Sequence, residues 1–205
     1  MKFLSYDSVL MVALRKITDY FILGILWICA SLGVVTFGAA TTAMLYTAGK
    51  SIYKDEGGVF LTFWKSFARE FKQATQLWLL GLIPAVLFVI DLLLLYNADI
   101  PGLIVFLAFV ASLLCFLWMG LWYGYLSRFQ DTNVTLLRNT FRMVFANFPW
   151  VLALGGVSVL TIVFSIAAFL LAPPLLCVIP GTYSAITSRI FHAIFKVYIP
   201  EKDSE

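Results

Sequence analysis

Charge is what this chain has least of. Asp, Glu, Lys and Arg make up 12% of its 205 residues, about half the roughly 25% of a soluble domain. Hydrophobic residues reach 62%, against about 45–50% in soluble proteins, so a water-soluble globule is excluded. Histidine is almost missing as well. His192 is the single one, and no group of cysteines or carboxylates accompanies it at ligand spacing, so no metal centre is expected. There is no GxxxxGK phosphate loop, no GxSxG elbow and no paired catalytic carboxylates. The chain is therefore expected to be no enzyme and to need no cofactor. Cys29, Cys115 and Cys177 all lie in apolar runs without CxxC spacing. They read as small buried hydrophobes and do not identify a compartment.

What is present is a series of long apolar runs. Several approach the ~20 residues that carry a helix across a bilayer core of about 30 Å. Taken in order they are Ile17 to Val35, Gly38 to Tyr53, Leu77 to Tyr96, Leu103 to Leu126, Val151 to Leu171 and Leu175 to Phe195. The second is only moderately apolar, short enough to need tilt or local thinning of the bilayer. Pro84 falls inside the third as an expected kink, tolerated where neighbouring helices satisfy the freed carbonyl.

The cations sort between these runs. All 14 Lys and Arg lie in residues 1–16, in 50–72, in 128–142, or at Arg189, Lys196 and Lys202, and the turns near 36, 99 and 173 have none. The positive-inside rule then predicts six spans with both termini cytoplasmic. The fold class is all-α and polytopic, a single membrane domain over 1–205 made of hairpins 17–53, 77–128 and 149–196. The net charge of +3 belongs to this sorting, so the lipid bilayer is the expected partner and nucleic acid is not. Residues 1–16 read as an interfacial helix, with a cleaved signal peptide as the weaker alternative.

Two amphipathic stretches, 59–74 and 134–148, are expected as helices on the cytoplasmic membrane surface. Phe63, Phe67 and Phe71 lie along the first, and Phe141 and Phe145 along the second. Each stretch serves either as a docking face for a partner or as a plain interfacial anchor. Small residues four apart mark the return helices: Ala39 with Ala43 just after Gly38, Gly120 with Gly124, and Gly181 with Ala185. Such pairs let helix backbones approach closely in lipid, and lining a substrate path is the competing use. Two polar residues stand out within the apolar chain, Thr36 and Asp91. Asp91 is the only acid set inside an apolar run, and intramembrane carboxylates are functional candidates by default. A proton, cation or substrate role stays open beside simple anchoring near the outer headgroups.

VVTFGAATTAMLYTAGK (residues 34–50), the Phe/Lys-rich TFWKSFAREFKQA, GLWYGYLSRF and the ending GTYSAITSRIFHAIF together resemble the YesL family of bacterial membrane proteins. The resemblance runs over essentially the whole chain. Its most specific part is Thr36, Gly38 and Ala39, while Gly33 stands where the family favours proline. Genes of that family often neighbour carbohydrate-import genes, and the family has no assigned catalytic residue. The resemblance thus implies a non-enzymatic accessory or partner subunit for ABC-type carbohydrate uptake, with membrane or ATPase subunits of an importer as partners. An autonomous small-molecule transporter with Asp91 in its path is the alternative. Substrate, partner identity and oligomeric state are not given by the sequence.

Overall fold

The computed structural model describes residues 9–96, 101–171, 173–196 and 198. Among them every regular element is a helix. The α-helices are α1 (Val9–Ser31), α2 (Phe37–Thr47), α3 (Val59–Tyr96), α4 (Gly102–Leu126), α5 (Asn133–Ala146), α6 (Phe148–Leu171) and α7 (Ile179–Phe195). A 3-10 turn over Val34–Thr36 joins α1 to α2, a π-helical segment Ala48–Tyr53 prolongs α2, and a 3-10 stretch Pro173–Cys177 leads into α7. The turn expected at 97–100, residues 1–8 of the expected interfacial helix and most of the polar tail lie outside the described residues.

Among the described residues three helices are long and apolar enough to cross a membrane: α3 over Val59–Asp91, α4 and α6. This is a multi-pass membrane protein. The six expected spans are not all of this kind. The helix beginning at Phe37 and helix α7 are short and rich in Gly, Ser and Thr, and α1 carries Arg15, Lys16 and Asp19.

Two expected boundaries are corrected. The separate surface helix at 59–74 is the first part of α3, one helix of 38 residues, about 57 Å long at 1.5 Å per residue. Ala74-Thr75-Gln76-Leu77 contains no Gly or Pro, so nothing stops the helix at the supposed junction. Pro84 lies within α3 without ending it. Similarly, α1 runs unbroken through residues 16 and 17. The stretch at 134–148 does form its own helix, α5, capped by Thr132 and closed at Asn147.

A short helix of mostly Ala, Gly and Thr sits innermost. Nine of the eleven α2 residues are buried, and they feed both apolar clusters of the core. One cluster joins Ala40, Ala43 and Met44 to Leu23 and Leu26 of α1 and to Val59 and Phe63 of α3. The other joins Ala39 and Leu45 to Leu121, Leu126, Leu136, Leu154 and Phe191 on α4 to α7. The lipid-like residues face outward instead: Leu93, Ile104, Phe106, Phe164 and Phe169 are all more than half exposed. In lipid, apolar side chains gain little from mutual burial, whereas small residues gain close packing, which accounts for this inversion.

α2 packs along the first half of α3 and α4 along the second. Gly38, at the start of α2, lies against Ala74 and Trp78, so the 33–36 turn is level with the middle of α3, while Phe88 meets Phe109 of α4 further along.

Candidate functional site

The turn at 33–38 shows what Thr36 and Gly38 do. The Thr36 hydroxyl donates to the carbonyls of Ala30 and Gly33, both at 2.5 Å, and its N–H donates to Gly33 O at 2.8 Å. These bonds take up carbonyls left free at the end of α1. Phe37 follows, with its ring between Trp27 (5.5 Å) and Trp78 (4.8 Å). A Cβ at Gly38 would stand 2.6 Å from Ala74 O and 2.9 Å from Trp78 Cβ, so only glycine lets α2 lie this close to α3. Ala39 and Ala43 are fully buried beside it.

The other small residues divide. At Gly181 a Cβ would meet Tyr20 O at 2.3 Å, and at Gly124 the Phe191 ring at 2.1 Å, so both are close-approach positions. Gly120 would meet only Leu154 Cδ2 at 3.5 Å, an ordinary contact. Ala185 is half-buried. Close approach also occurs where no spacing signalled it: a Cβ at Gly24 would meet Cys177 O at 2.2 Å.

The aromatic faces divide too. On α3 the inward stripe is Val59, Phe63, Ser66, Glu70, Ala74, Leu77 and Gly81, all buried. Phe63 is fully buried in the core and is no docking residue in the folded chain. Phe67 is partly buried between the two clusters, and Phe71 is 38% exposed. The residues the start of α3 offers outward are Phe60, Leu61 and Trp64. On α5 the buried face is Leu136, Thr140, Met143 and Val144. Phe141 and Phe145 are left exposed, with Arg138 and Arg142 also on the outside. Gln73 and Gln76 of α3 fix the loop before α5. Gln73 Nε2 donates to Asp131 O at 2.7 Å, and Gln76 Oε1 accepts from Asn133 Nδ2 at 2.8 Å.

Asp91 is buried and accepts a hydrogen bond from Ser112, which ties α3 to α4. His192 packs its ring on Tyr53 (centroids 5.3 Å apart). No group of three metal-ligating side chains occurs among the described residues.

The cations gather where α2 ends. Arg69 pairs with buried Glu70 at 2.5 Å, and it also lies over the Tyr46 ring at 4.9 Å, with Lys50 over the same ring at 5.6 Å. Arg15 pairs with Asp55 across the same end at 2.5 Å. Arg128 lies over the Phe195 ring at 5.4 Å, with Ser188 O at 3.4 Å.

In the middle of the helices is a cavity of about 520 Å³, bounded by residues of α1, α2, α3, α4, α6 and α7. Trp27, Phe37, Trp78, Phe116, Tyr123 and Tyr183 are its aromatic walls, and Ser158, Thr161 and Ser165 form a hydroxyl ladder along α6. Among the described residues no charged side chain and no histidine lines it, and Asp91 is not among its walls. Its size falls within the ~300–1,000 Å³ of small-molecule pockets.

No curated protein and no solved structure matches this chain. Residues 20–92, which hold the Thr36–Gly38 turn, α2 and most of α3, match the family model described as "Protein of unknown function, DUF624". DUF624 is the YesL-like family of bacterial membrane proteins that the sequence resembles, and the match to it covers this region of the chain.

Proposed function

We propose that this protein is a non-enzymatic membrane subunit that crosses the bilayer six times, keeps both termini cytoplasmic and serves as an accessory or partner in ABC-type carbohydrate uptake. The observation that carries the partner role is the outer face of α5. That helix is fixed to the bundle by Leu136, Thr140, Met143 and Val144, yet exposes Phe141 by 51% and Phe145 by 66%. Aromatics interleaved with Arg138 and Arg142 on a rigid helix form a surface suited to a protein interface. The carbohydrate link comes from the family resemblance alone. Support for the topology comes from the sorting of cations and from their gathering at the end of the bundle that holds Lys50, Arg69 and Arg128. Helices α2 and α7, of 11 and 17 residues, are then the short members, tilted or seated where the bilayer thins.

The test is copurification. A C-terminally tagged protein, solubilised in mild detergent from its host grown on plant polysaccharide, is expected to bring down permease or ATPase subunits in stoichiometric amount. Phe141→Ala with Phe145→Ala should release them while the tagged chain itself is recovered intact. Recovery of the protein alone would reject the accessory role.

A second reading, an autonomous transporter, draws on the central cavity. Asp91 in its path would make Asp91→Asn abolish proton-coupled flux, whereas the accessory role predicts nearly unchanged growth on the carbohydrate. The bond from Ser112 and the place of Asp91 outside the cavity walls favour the accessory role.

A further inference from the structure

The cavity has a hydrogen-bonding character that its residue types alone do not disclose. Each hydroxyl of the α6 ladder donates back to its own helix. Ser158 donates to Leu154 O at 2.9 Å, Thr161 to Val157 O at 2.8 Å and Ser165 to Thr161 O at 2.8 Å. Because the Ser158 hydrogen is committed, Tyr183 is the donor in the 3.3 Å contact between their hydroxyls. Thr41 is likewise spent, donating to Phe37 O at 2.9 Å and accepting from Trp27 Nε1 at 3.2 Å. The lone pairs of Thr161, Ser165 and Tyr183 remain as acceptors. One donor stands opposite: the hydroxyl of wall residue Tyr123, a residue 5% exposed, has no hydrogen-bond partner among the described residues. An unmet buried hydroxyl is costly, and a ligand that supplies its acceptor regains that cost.

Two further features narrow the ligand. With no Asp, Glu, Lys, Arg or His among the described wall residues, a charged ligand would be desolvated without a counter-charge, which is prohibitive. Leu82 and Ala85 of α3, Phe116 of α4, and Ile162 and Ile166 of α6 both line the cavity and are exposed. Its mouth is therefore framed by the three helices long and apolar enough to span, and it opens toward lipid.

We propose that this cavity binds one uncharged molecule with an apolar body and a hydroxyl group, a membrane-soluble alcohol, entering from the lipid side between α3, α4 and α6. The ligand hydroxyl donates to the acceptors of α6 and α7 and accepts from Tyr123, while its body packs on Trp27, Trp78 and Phe116. The site stands apart from the proposed partner role, because it uses none of the α5 face.

The experiment is photolabelling of the purified full chain in lipid nanodiscs with a long-chain primary alcohol carrying a diazirine, mapped by peptide mass spectrometry. Saturable label is expected within residues 116–123 and 158–166. The unlabelled alcohol should displace it, its methyl ether roughly tenfold less well, as the loss of a buried hydrogen bond worth about 1.4 kcal/mol implies. The matching carboxylate should fail at neutral pH. Ser165→Phe, which fills the cavity, should remove the saturable label at unchanged melting temperature. Tyr123→Phe keeps the wall but removes the donor that alcohol and ether alike accept from, so it should weaken both by roughly tenfold, and the proposal stays testable if Ser165→Phe does not fold. Label spread over lipid-facing positions without saturation would overturn the proposal, as would an ether or carboxylate that competes as well as the alcohol. A phospholipid with the diazirine in its acyl chain, labelling the same positions and resisting displacement by the alcohol, would show that a bilayer tail fills the cavity, and would overturn it equally.

Discussion

Identical residue types carry different weight in this chain, and the difference is set by what each one touches. Phe63 is fully buried between α2 and α3, whereas Phe145 on α5 is 66% exposed. Phe63→Ala is expected to cost about 3 kcal/mol or more through transfer and cavity terms. Phe145→Ala should stay within about 0.5 kcal/mol, as surface changes do. Denaturation of the purified variants in detergent, followed by tryptophan fluorescence, reads both. Equal losses would mean that α5 buries a face assigned here to the outside. The glycines allow a second comparison. Gly181→Ala drives a methyl to 2.3 Å from Tyr20 O, a backbone atom that cannot step aside, while Gly120→Ala meets only Leu154 at 3.5 Å. Overpacking of this kind costs about 1–3 kcal/mol. Gly181→Ala should therefore lower the melting temperature and Gly120→Ala should leave it level or raise it, alanine being the better helix former. Spacing alone put both glycines in one class; only the neighbour across the interface separates them.

At the scale of elements, hydropathy read the long helices well and the junctions badly. Helices α4 and α6 were plain as apolar runs bounded by Pro101 and Pro173. The continuity of α3 was legible in principle, since Ala74 to Leu77 offers nothing to end a helix. The face it buries was not. The inward stripe includes Ser66 and Glu70, the latter paired with Arg69, so the apolar periodicity pointed to Phe67 and Phe71 instead. The cavity was illegible for a different reason: its walls join α2, α3 and α6, which no local pattern relates. Asp91 drew notice as a lone acid, but its role depended on Ser112, 21 residues away. That pair makes a prediction about how α3 holds α4. Ser112→Ala leaves a buried carboxyl without its donor and should cost about 0.5–2 kcal/mol, the range for polar contacts between membrane helices. Asp91→Asn keeps an acceptor for Ser112 and should cost less. If Asp91→Asn is the more damaging in unfolding measurements, the carboxyl makes a contact other than this one.

For the whole molecule the open quantity is depth. α3 is about 57 Å long at 1.5 Å per residue, nearly twice a bilayer core of about 30 Å. Gly38 lies beside Ala74 and Trp78, halfway along it. If α4 and the second half of α3 fill the bilayer, the turn at 33–36 must reach the outer surface by tilt or thinning to complete a crossing. Single cysteines in a background lacking Cys29, Cys115 and Cys177 measure this directly. Six crossings predict that an impermeant thiol reagent added to intact cells labels Val34→Cys and Gly102→Cys, and that Lys54→Cys is labelled only in inverted vesicles. Val34 is 72% exposed and Lys54 is exposed, so neither is shielded by the fold itself. Labelling of Lys54→Cys from outside would reverse the cation sorting on which the orientation rests. Labelling of Gly102→Cys without Val34→Cys, in a protein that still folds, would make α1 and α2 a re-entrant hairpin. The Thr36–Gly38 turn would then be a plug packed against the middle of α3.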